Sequence, residues 1–119
     1  MKLIYSIQKH WARKLHYDLR LEFEGKLKSW AIPKEPPRNP KEKRLAVQVD
    51  DHELSYAFFE GIIPEGMYGA GKVEVWDKGF HFPLEFDNKK IVTRIEGKKL
   101  KGVYFLIRFR DKNWLFFKK

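Results

Sequence analysis

Leu15-His16-Tyr17-Asp18-Leu19-Arg20-Leu21-Glu22-Phe23-Glu24 alternates apolar and polar residues without a break. Leu15, Tyr17, Leu19, Leu21 and Phe23 fall on one side, and His16, Asp18, Arg20, Glu22 and Glu24 on the other. A period of two is the signature of a strand. A helix would set His16 and Asp18 roughly 200° apart around its axis and scatter both groups. Glu24-Gly25 has the composition of a tight turn, so residues 26–32 read as the returning strand of a hairpin.

Outward from this hairpin the punctuation is dense. Pro33, Pro36, Pro37 and Pro40 bound a loop that cannot join a sheet interior. Residues 44–50 alternate again, Leu45, Val47 and Val49 against Arg44, Ala46, Gln48 and Asp50. Residues 61–71 hold Pro64 and several glycines and read as a structured surface loop. Further strands are predicted over residues 72–76, 90–96, 100–108 and 113–117. No stretch carries a helical stripe longer than a turn or two. Short strands at this spacing predict a mainly β fold with little helix, a compact antiparallel β-barrel or tightly curled sheet.

The chain of 119 residues is sized for a single domain, residues 1–119. Lys and Arg number 25 against 16 Asp and Glu, a net charge of +9 that calls for a polyanionic partner, nucleic acid first. A content of 43% hydrophobic and 16% aromatic residues excludes a disordered basic tail. There is no cysteine, which excludes a disulfide scaffold, cysteine-type zinc fingers and cysteine nucleophiles. Any metal must then be held by His and carboxylate. The apolar run after Lys2 ends at Ser6, too short for a signal peptide, and nothing approaches a membrane span. The expectation is a soluble, cytoplasmic monomer with no membrane partner.

The polar face of the first hairpin strand is unusual for a solvated one. His16 and Asp18 point the same way with side-chain bases roughly 6–7 Å apart, within reach of one metal ion. His10 lies an even number of residues before His16 and joins them if the chain stays extended; a bend at residues 11–14 would break that parity. Two His and one carboxylate suit Mn(II), Fe(II) or Zn(II). Arg20 follows on the same face, either salt-bridged to Glu22 or Asp18 or free to grip phosphate oxygens. His52 and Tyr56, four residues apart, share a face in a strand or in one helical turn. Residues 64–71 match neither the P-loop nor the dinucleotide fingerprint and read as a structural turn with left-handed glycines. Aromatics interleave with cations at Lys9-His10-Trp11, Arg108-Phe109-Arg110 and Lys112-Asn113-Trp114, as in single-strand binders and also in half-buried sheets.

The run Gln8-Lys9-His10-Trp11-Ala12-Arg13-Lys14-Leu15-His16-Tyr17-Asp18-Leu19-Arg20-Leu21-Glu22 resembles the 3′-phosphoesterase domain of the bacterial non-homologous end-joining ligase D, a domain that also occurs alone in archaea. The resemblance continues through Ser29-Trp30-Ala31-Ile32-Pro33-Lys34, Gln48-Val49-Asp50-Asp51-His52, Ile63-Pro64-Glu65-Gly66 and Tyr68-Gly69-Ala70-Gly71, and covers residues 8 to about 79. It implies a β-barrel with a polar interior holding a divalent metal, manganese first, with zinc or cobalt as other candidates. It also implies an enzyme that trims the 3′ ends of DNA or DNA–RNA primer-templates, removing a terminal ribonucleoside and then the 3′-phosphate, for a separate DNA ligase or polymerase to use. By position, His10, His16 and Asp18 resemble metal ligands, and Arg20, His52 and Tyr56 resemble residues that engage the scissile phosphate. Gln8, Lys34, Arg44 and Asp50 resemble supporting polar positions. Asp50 stands where the family often has Glu, a shorter reach. The stretch begins about where the family's core begins, without its charged N-terminal arm, so phosphate-monoester removal is the activity expected first. The rivals are a non-catalytic single-strand or DNA-end binding barrel and, third, a hydrolase of small phosphate esters.

Overall fold

The alternating stretch forms one strand of a hairpin, and the hairpin is the seed of a closed barrel. The computed structural model describes residues 2–119. The strands are β1 (Leu3–Trp11), β2 (Leu15–Phe23), β3 (Lys26–Ile32), β4 (Lys43–His52), β5 (Gly61–Ile63), β6 (Gly71–Phe86), β7 (Lys90–Glu96), β8 (Lys101–Arg110) and β9 (Asn113–Lys118), with a 3₁₀ turn at Leu54–Tyr56. Glu24 and Gly25 join β2 to β3 with φ of +52° and +82°, the backbone that a two-residue type I′ hairpin requires. Neighbours run β1-β2-β3-β4-β9-β8-β7-β6, and β1 pairs back onto β6 to close eight antiparallel strands; β5 lies beside the start of β6. Closure leaves the barrel strands without free edges.

One face of every barrel strand supplies the lumen. Tyr5 and Ile7, Leu19 and Leu21, Trp30 and Ile32, Ala46, Ile91 and Ile95, Leu106, Trp114 and Phe116 form a single buried cluster, with Trp76 and Phe86 of β6 packed against it. Strand side chains alternate, so the opposite face of β1, β2 and β3 carries Ser6, Gln8, His10, Asp18, Arg20 and Ser29. These are buried as well. Their cover is the 3₁₀ turn and the segment through β5 into residues 64–70, tied down by hydrogen bonds from Gln8 to Tyr56 and Phe59 and from His10 to Gly69. The expected polar interior is therefore a second buried layer, between the barrel wall and this cover.

Strands β1, β5 and β6 differ from the sequence reading, which has residues 61–63 as part of a loop. β1 lies outside the predicted strands, and β6 runs on to Phe86 instead of stopping at residue 76. β6 is bulged at Trp76, where the β1 register shifts, and again at Leu84 after Pro83; each bulge resets the alternation that marks a strand. In β4 the set containing Arg44, Ala46 and Gln48 faces inward. Ala46 is fully buried and the Gln48 side-chain oxygen accepts from Trp114 Nε1 at 3.0 Å, while Leu45 is exposed.

Asp77 and His81 enter the lumen with their polar atoms paired. The Asp77 carboxylate accepts from the Tyr5 hydroxyl at 2.7 Å and from the backbone N–H groups of Lys98, Lys99 and Leu100, capping the β7–β8 turn. Gly97 is required there because a Cβ would run into that carboxylate. His81 donates from Nε2 to the Glu22 carbonyl at 2.9 Å and accepts from the Thr93 hydroxyl at Nδ1 at 2.7 Å. Burial pulls its pKa from 6.5 down to about 4, against a smaller upward pull from the Glu22 carbonyl.

Between pH 6.5 and about 4 the unfolded chain binds a proton at this position and the folded chain does not. The contribution of His81 to stability is therefore full above pH 6.5 and is lost as the pH falls through that window, by about 3 kcal/mol at pH 4. Urea unfolding of wild type and His81→Gln should show their stability difference shifting against the wild type by about that amount on acidification from neutral pH. Parallel pH profiles would contradict the assignment.

Candidate metal and phosphate site

Antiparallel register brings two histidines together. The β1–β2 pairing sets His10 directly opposite His16 and Gln8 opposite Asp18. The chain does bend at residues 12–14, so sequence parity does not carry across; cross-strand pairing does the same work, and the two rings lie 4.8 Å apart. Asp18, the next residue on this face of β2, completes the group. His10 Nδ1 lies 3.5 Å from Asp18 Oδ2, and His16 Nε2 lies 3.2 Å from Asp18 Oδ1. One ligand atom from each of the three residues falls within 4.8 Å of the other two.

The remaining ring nitrogens decide what this group can hold. His10 Nε2 is 2.8 Å from the Gly69 carbonyl oxygen, and His16 Nδ1 is 3.2 Å from that of Lys14. A carbonyl only accepts, so each ring directs an N–H there. In each neutral ring the other nitrogen is then a lone pair, and both lone pairs face one carboxylate. Three electron-rich groups at this spacing require a cation among them. An outer N–H held by a backbone carbonyl is also how metal-binding imidazoles are oriented. The donor set thus fits a divalent transition metal. In metal-free protein, protons meet the same need. The hydrogen bond to Asp18 raises the His16 pKa, against an opposing effect of burial. Burial pushes the Asp18 carboxyl upward, but hydrogen bonds from His10 and His16 and the charge of Arg20 outweigh it and hold the group well below the usual carboxylate range.

Arg20 follows Asp18 on the same face and is only 4% exposed. Its Nε donates to Gln8 Oε1 at 2.9 Å, Nη2 lies 3.8 Å from Asp18, and Nη1 is buried without a partner. Gln8 spends its amide group on the carbonyls of Tyr56 at 3.0 Å and Phe59 at 3.1 Å. One side chain thus fixes the arginine to the barrel wall and the cover to both. Burial lowers the Arg20 pKa, with Asp18 opposing, and a guanidinium keeps its proton regardless. The guanidinium thus keeps hydrogen-bonding capacity that no protein group uses.

His52 reaches the site through a bulge. Ser29 pairs with Val49 but Leu27 with His52, so β4 takes an extra residue and His52 turns onto the site face. It stacks on Tyr56 at 4.8 Å, Tyr56 stacks on Phe59 at 5.1 Å, and the Arg20 guanidinium lies 5.4 Å from the Tyr56 ring centre. Burial and then the Arg20 charge lower the His52 pKa, while burial raises that of Tyr56. Both side chains are neutral hydrogen-bonding groups at pH 7.

His10, His16, Asp18, Arg20, Asp50, His52 and Tyr56 line one cavity of about 330 Å³, with Gln8 beneath it. Lys34 and Arg44 are not brought there. Lys34 is exposed in the proline-rich loop, and the Arg44 guanidinium donates to the Glu35 carbonyl at 2.7 Å and the Glu42 carboxylate at 3.1 Å, which fixes that loop. The residues missed by sequence reasoning include Ile63, Tyr68 and Gly69, which also line the cavity. Residues 64–70 are a structural turn as expected, built as two overlapping turns with Met67 N–H on the Pro64 carbonyl and Ala70 N–H on that of Met67. Gly66 and Gly69 occupy the third positions with φ of +85° and +76°, as type II turns demand. The spacing of those two glycines was the available signal.

The site is thus a two-histidine, one-carboxylate group that could hold a metal ion, beside a buried arginine, on the wall of a closed β-barrel. Residues 8–108 match the family described as the DNA Ligase D 3′-phosphoesterase domain, and the chain belongs to that family. The multifunctional non-homologous end joining protein LigD of Pseudomonas aeruginosa is 53% identical over 111 residues, 89% of this chain and 13% of that protein. Its counterpart in Mycolicibacterium smegmatis is 46% identical over 122 residues, 93% of this chain and 16% of that protein. The LigD of Mycobacterium tuberculosis is 44% identical over 115 residues, 93% of this chain and 15% of that protein. The chain therefore spans 13–16% of the length of these relatives. Among the described residues no helix is long and apolar enough to cross a membrane.

A cation bound at His10, His16 and Asp18 stabilises the folded chain by mass action, about 2.7 kcal/mol at a hundredfold excess over Kd. Titrated Mn(II) should raise the melting temperature of the wild type and leave His16→Ala and Asp18→Asn unmoved. An equal rise in all three would place the cation elsewhere.

Proposed function

We propose that this cavity is the catalytic centre of a divalent-metal-dependent phosphoesterase that processes DNA 3′ ends, removing a 3′-phosphate and a 3′-terminal ribonucleoside to leave a 3′-hydroxyl. The observation that carries the reading is the unpaired Nη1 of buried Arg20 beside three convergent ligand groups. A phosphoryl group, with several charged oxygens, satisfies both at once. The net charge of +9 and relatives named for end joining support nucleic-acid ends as the source of that phosphoryl group. A monomer that prepares ends for a separate DNA ligase or polymerase fits this reading.

His10, His16 and Asp18 would hold the metal, manganese in this proposal, and bound metal supplies Lewis acidity toward a phosphoryl oxygen. The chain's own residues do the rest. Arg20 brings its guanidinium to the cavity for a non-bridging oxygen, and its plane is set in advance by Gln8 and Asp18. Preorganised donors of this kind stabilise the charge that builds in the transition state. Tyr56 brings a protonated phenol to the same cavity. His52, whose pKa burial and the Arg20 charge lower, brings a neutral imidazole with one N–H to donate to a phosphoryl oxygen. Lys34 and Arg44 are assigned no contact with the scissile phosphate.

The test uses labelled primer-templates ending in a 3′-phosphate or in one 3′-ribonucleotide, incubated with Mn(II) or with chelator. Trimming to a 3′-hydroxyl should require the metal and vanish in His16→Ala, and Arg20→Ala should lose about 100- to 1,000-fold in rate. Binding without trimming would make the domain a DNA-end binding barrel, and trimming in chelator would remove the metal from the reading.

A further inference from the structure

Tyr68 stands 97% exposed on the rim of the catalytic cavity, beside Met67 at 61%. Together the two residues put an aromatic ring and a thioether side by side in water at the mouth of a charged cavity. The position of the ring is also fixed. Tyr68 is the second residue of the Met67–Ala70 turn, closed by the Ala70 N–H on the Met67 carbonyl at 3.1 Å. The next residue, Gly69, accepts the His10 Nε2–H at 2.8 Å. The ring is therefore carried by a turn bolted to one of the candidate ligand histidines, and presented at the edge of the cavity rather than swung on a free loop.

What the ring meets follows from what the cavity floor takes. A phosphoryl group seated against Arg20 and the His10–His16–Asp18 group leaves its ester substituent pointing out over the rim. In a nucleic acid that substituent is a nucleoside, and one sugar away from the phosphate comes a flat aromatic base. Stacking on an aromatic side chain is the contact every base offers whatever its identity. Ile63, also lining the cavity, adds an apolar wall on the same side.

We propose that Tyr68 is a stacking platform for the base of the nucleoside that carries the scissile phosphate, a base subsite that selects nucleic-acid ends over other phosphate esters without reading their sequence. The proposal rests on the phosphoesterase reading for the identity of the anion and deepens it by naming the group recognised next to that anion.

The experiment compares two 3′-phosphorylated oligonucleotides, one with a normal terminal base and one abasic at that nucleoside. Wild type should prefer the base-bearing end by about 5- to 150-fold in kcat/KM, the range that base–aromatic stacking confers. The preference should fall to about one in Tyr68→Ala and persist in Tyr68→Phe. A loss in Tyr68→Ala that is equal on both substrates would mean that the residue acts only by holding Gly69 and His10, and would overturn the subsite. A second readout is independent of turnover: an oligonucleotide ending in 2-aminopurine with a 3′-hydroxyl. Its fluorescence should be quenched on binding wild type and Tyr68→Phe but not Tyr68→Ala. Quenching without turnover would keep the subsite and remove the phosphoesterase reading. Turnover with no base preference and no Tyr68-dependent quenching would do the reverse.

Discussion

Asp18 is a carboxylate buried between two imidazole lone pairs, and such a group cannot be left without positive charge. Taking an ion out of water costs several kcal/mol even after relaxation, and the nearest fixed cation, Arg20, stands at 3.8 Å. The surrounding structure follows from this one requirement. The Gly69 and Lys14 carbonyls take the outer N–H groups of His10 and His16, so both rings turn their remaining nitrogens to the carboxylate. Gln8 then holds Arg20 close without letting it neutralise Asp18 fully. The result is a cavity with three convergent ligand groups on one side and the Arg20 guanidinium on the other, the pairing on which the phosphoesterase proposal rests.

The barrel makes this arrangement affordable by giving β1, β2 and β3 two buried faces. One face fills an apolar lumen to which all eight strands contribute. The other would ordinarily be solvated, but here it lies under a cover pinned by three side-chain hydrogen bonds from Gln8 and His10. The cover also brings Tyr56, Gly69 and the exposed Tyr68 to the cavity. Loss of Gln8 would therefore loosen the arginine, the cover and the stacked His52–Tyr56–Phe59 group together.

Much of this was legible in ten residues. The alternation over residues 15–24 gives the hairpin and gathers His16, Asp18 and Arg20 on one face, and the resemblance adds His10, Asp50, His52 and Tyr56, which line the same cavity. What stayed hidden has identifiable causes. β1 begins with the unbroken apolar run Leu3, Ile4, Tyr5, which masks its alternation, and β6 is twice bulged. Parity along the chain groups His10 with His16 and Asp18, but what sets it opposite His16 is the pairing of β1 with β2. His52 reaches its face only because of the β4 bulge. The Gly69 carbonyl carries no side-chain signature at all; only its turn geometry gives it away. Arg44 was expected among supporting polar positions, and its inward parity in β4 sends it to the proline-rich loop instead.

The most direct test of the charge convergence at Asp18 is to count the nitrogens around a bound paramagnetic cation. Pulsed electron paramagnetic resonance of Mn(II) bound to the wild-type chain should report two coordinated imidazole nitrogens, and one in His16→Ala. A bound Mn(II) with no nitrogen coupling, or with the same coupling in wild type and His16→Ala, would contradict the assignment of His10, His16 and Asp18 as the group that holds the metal.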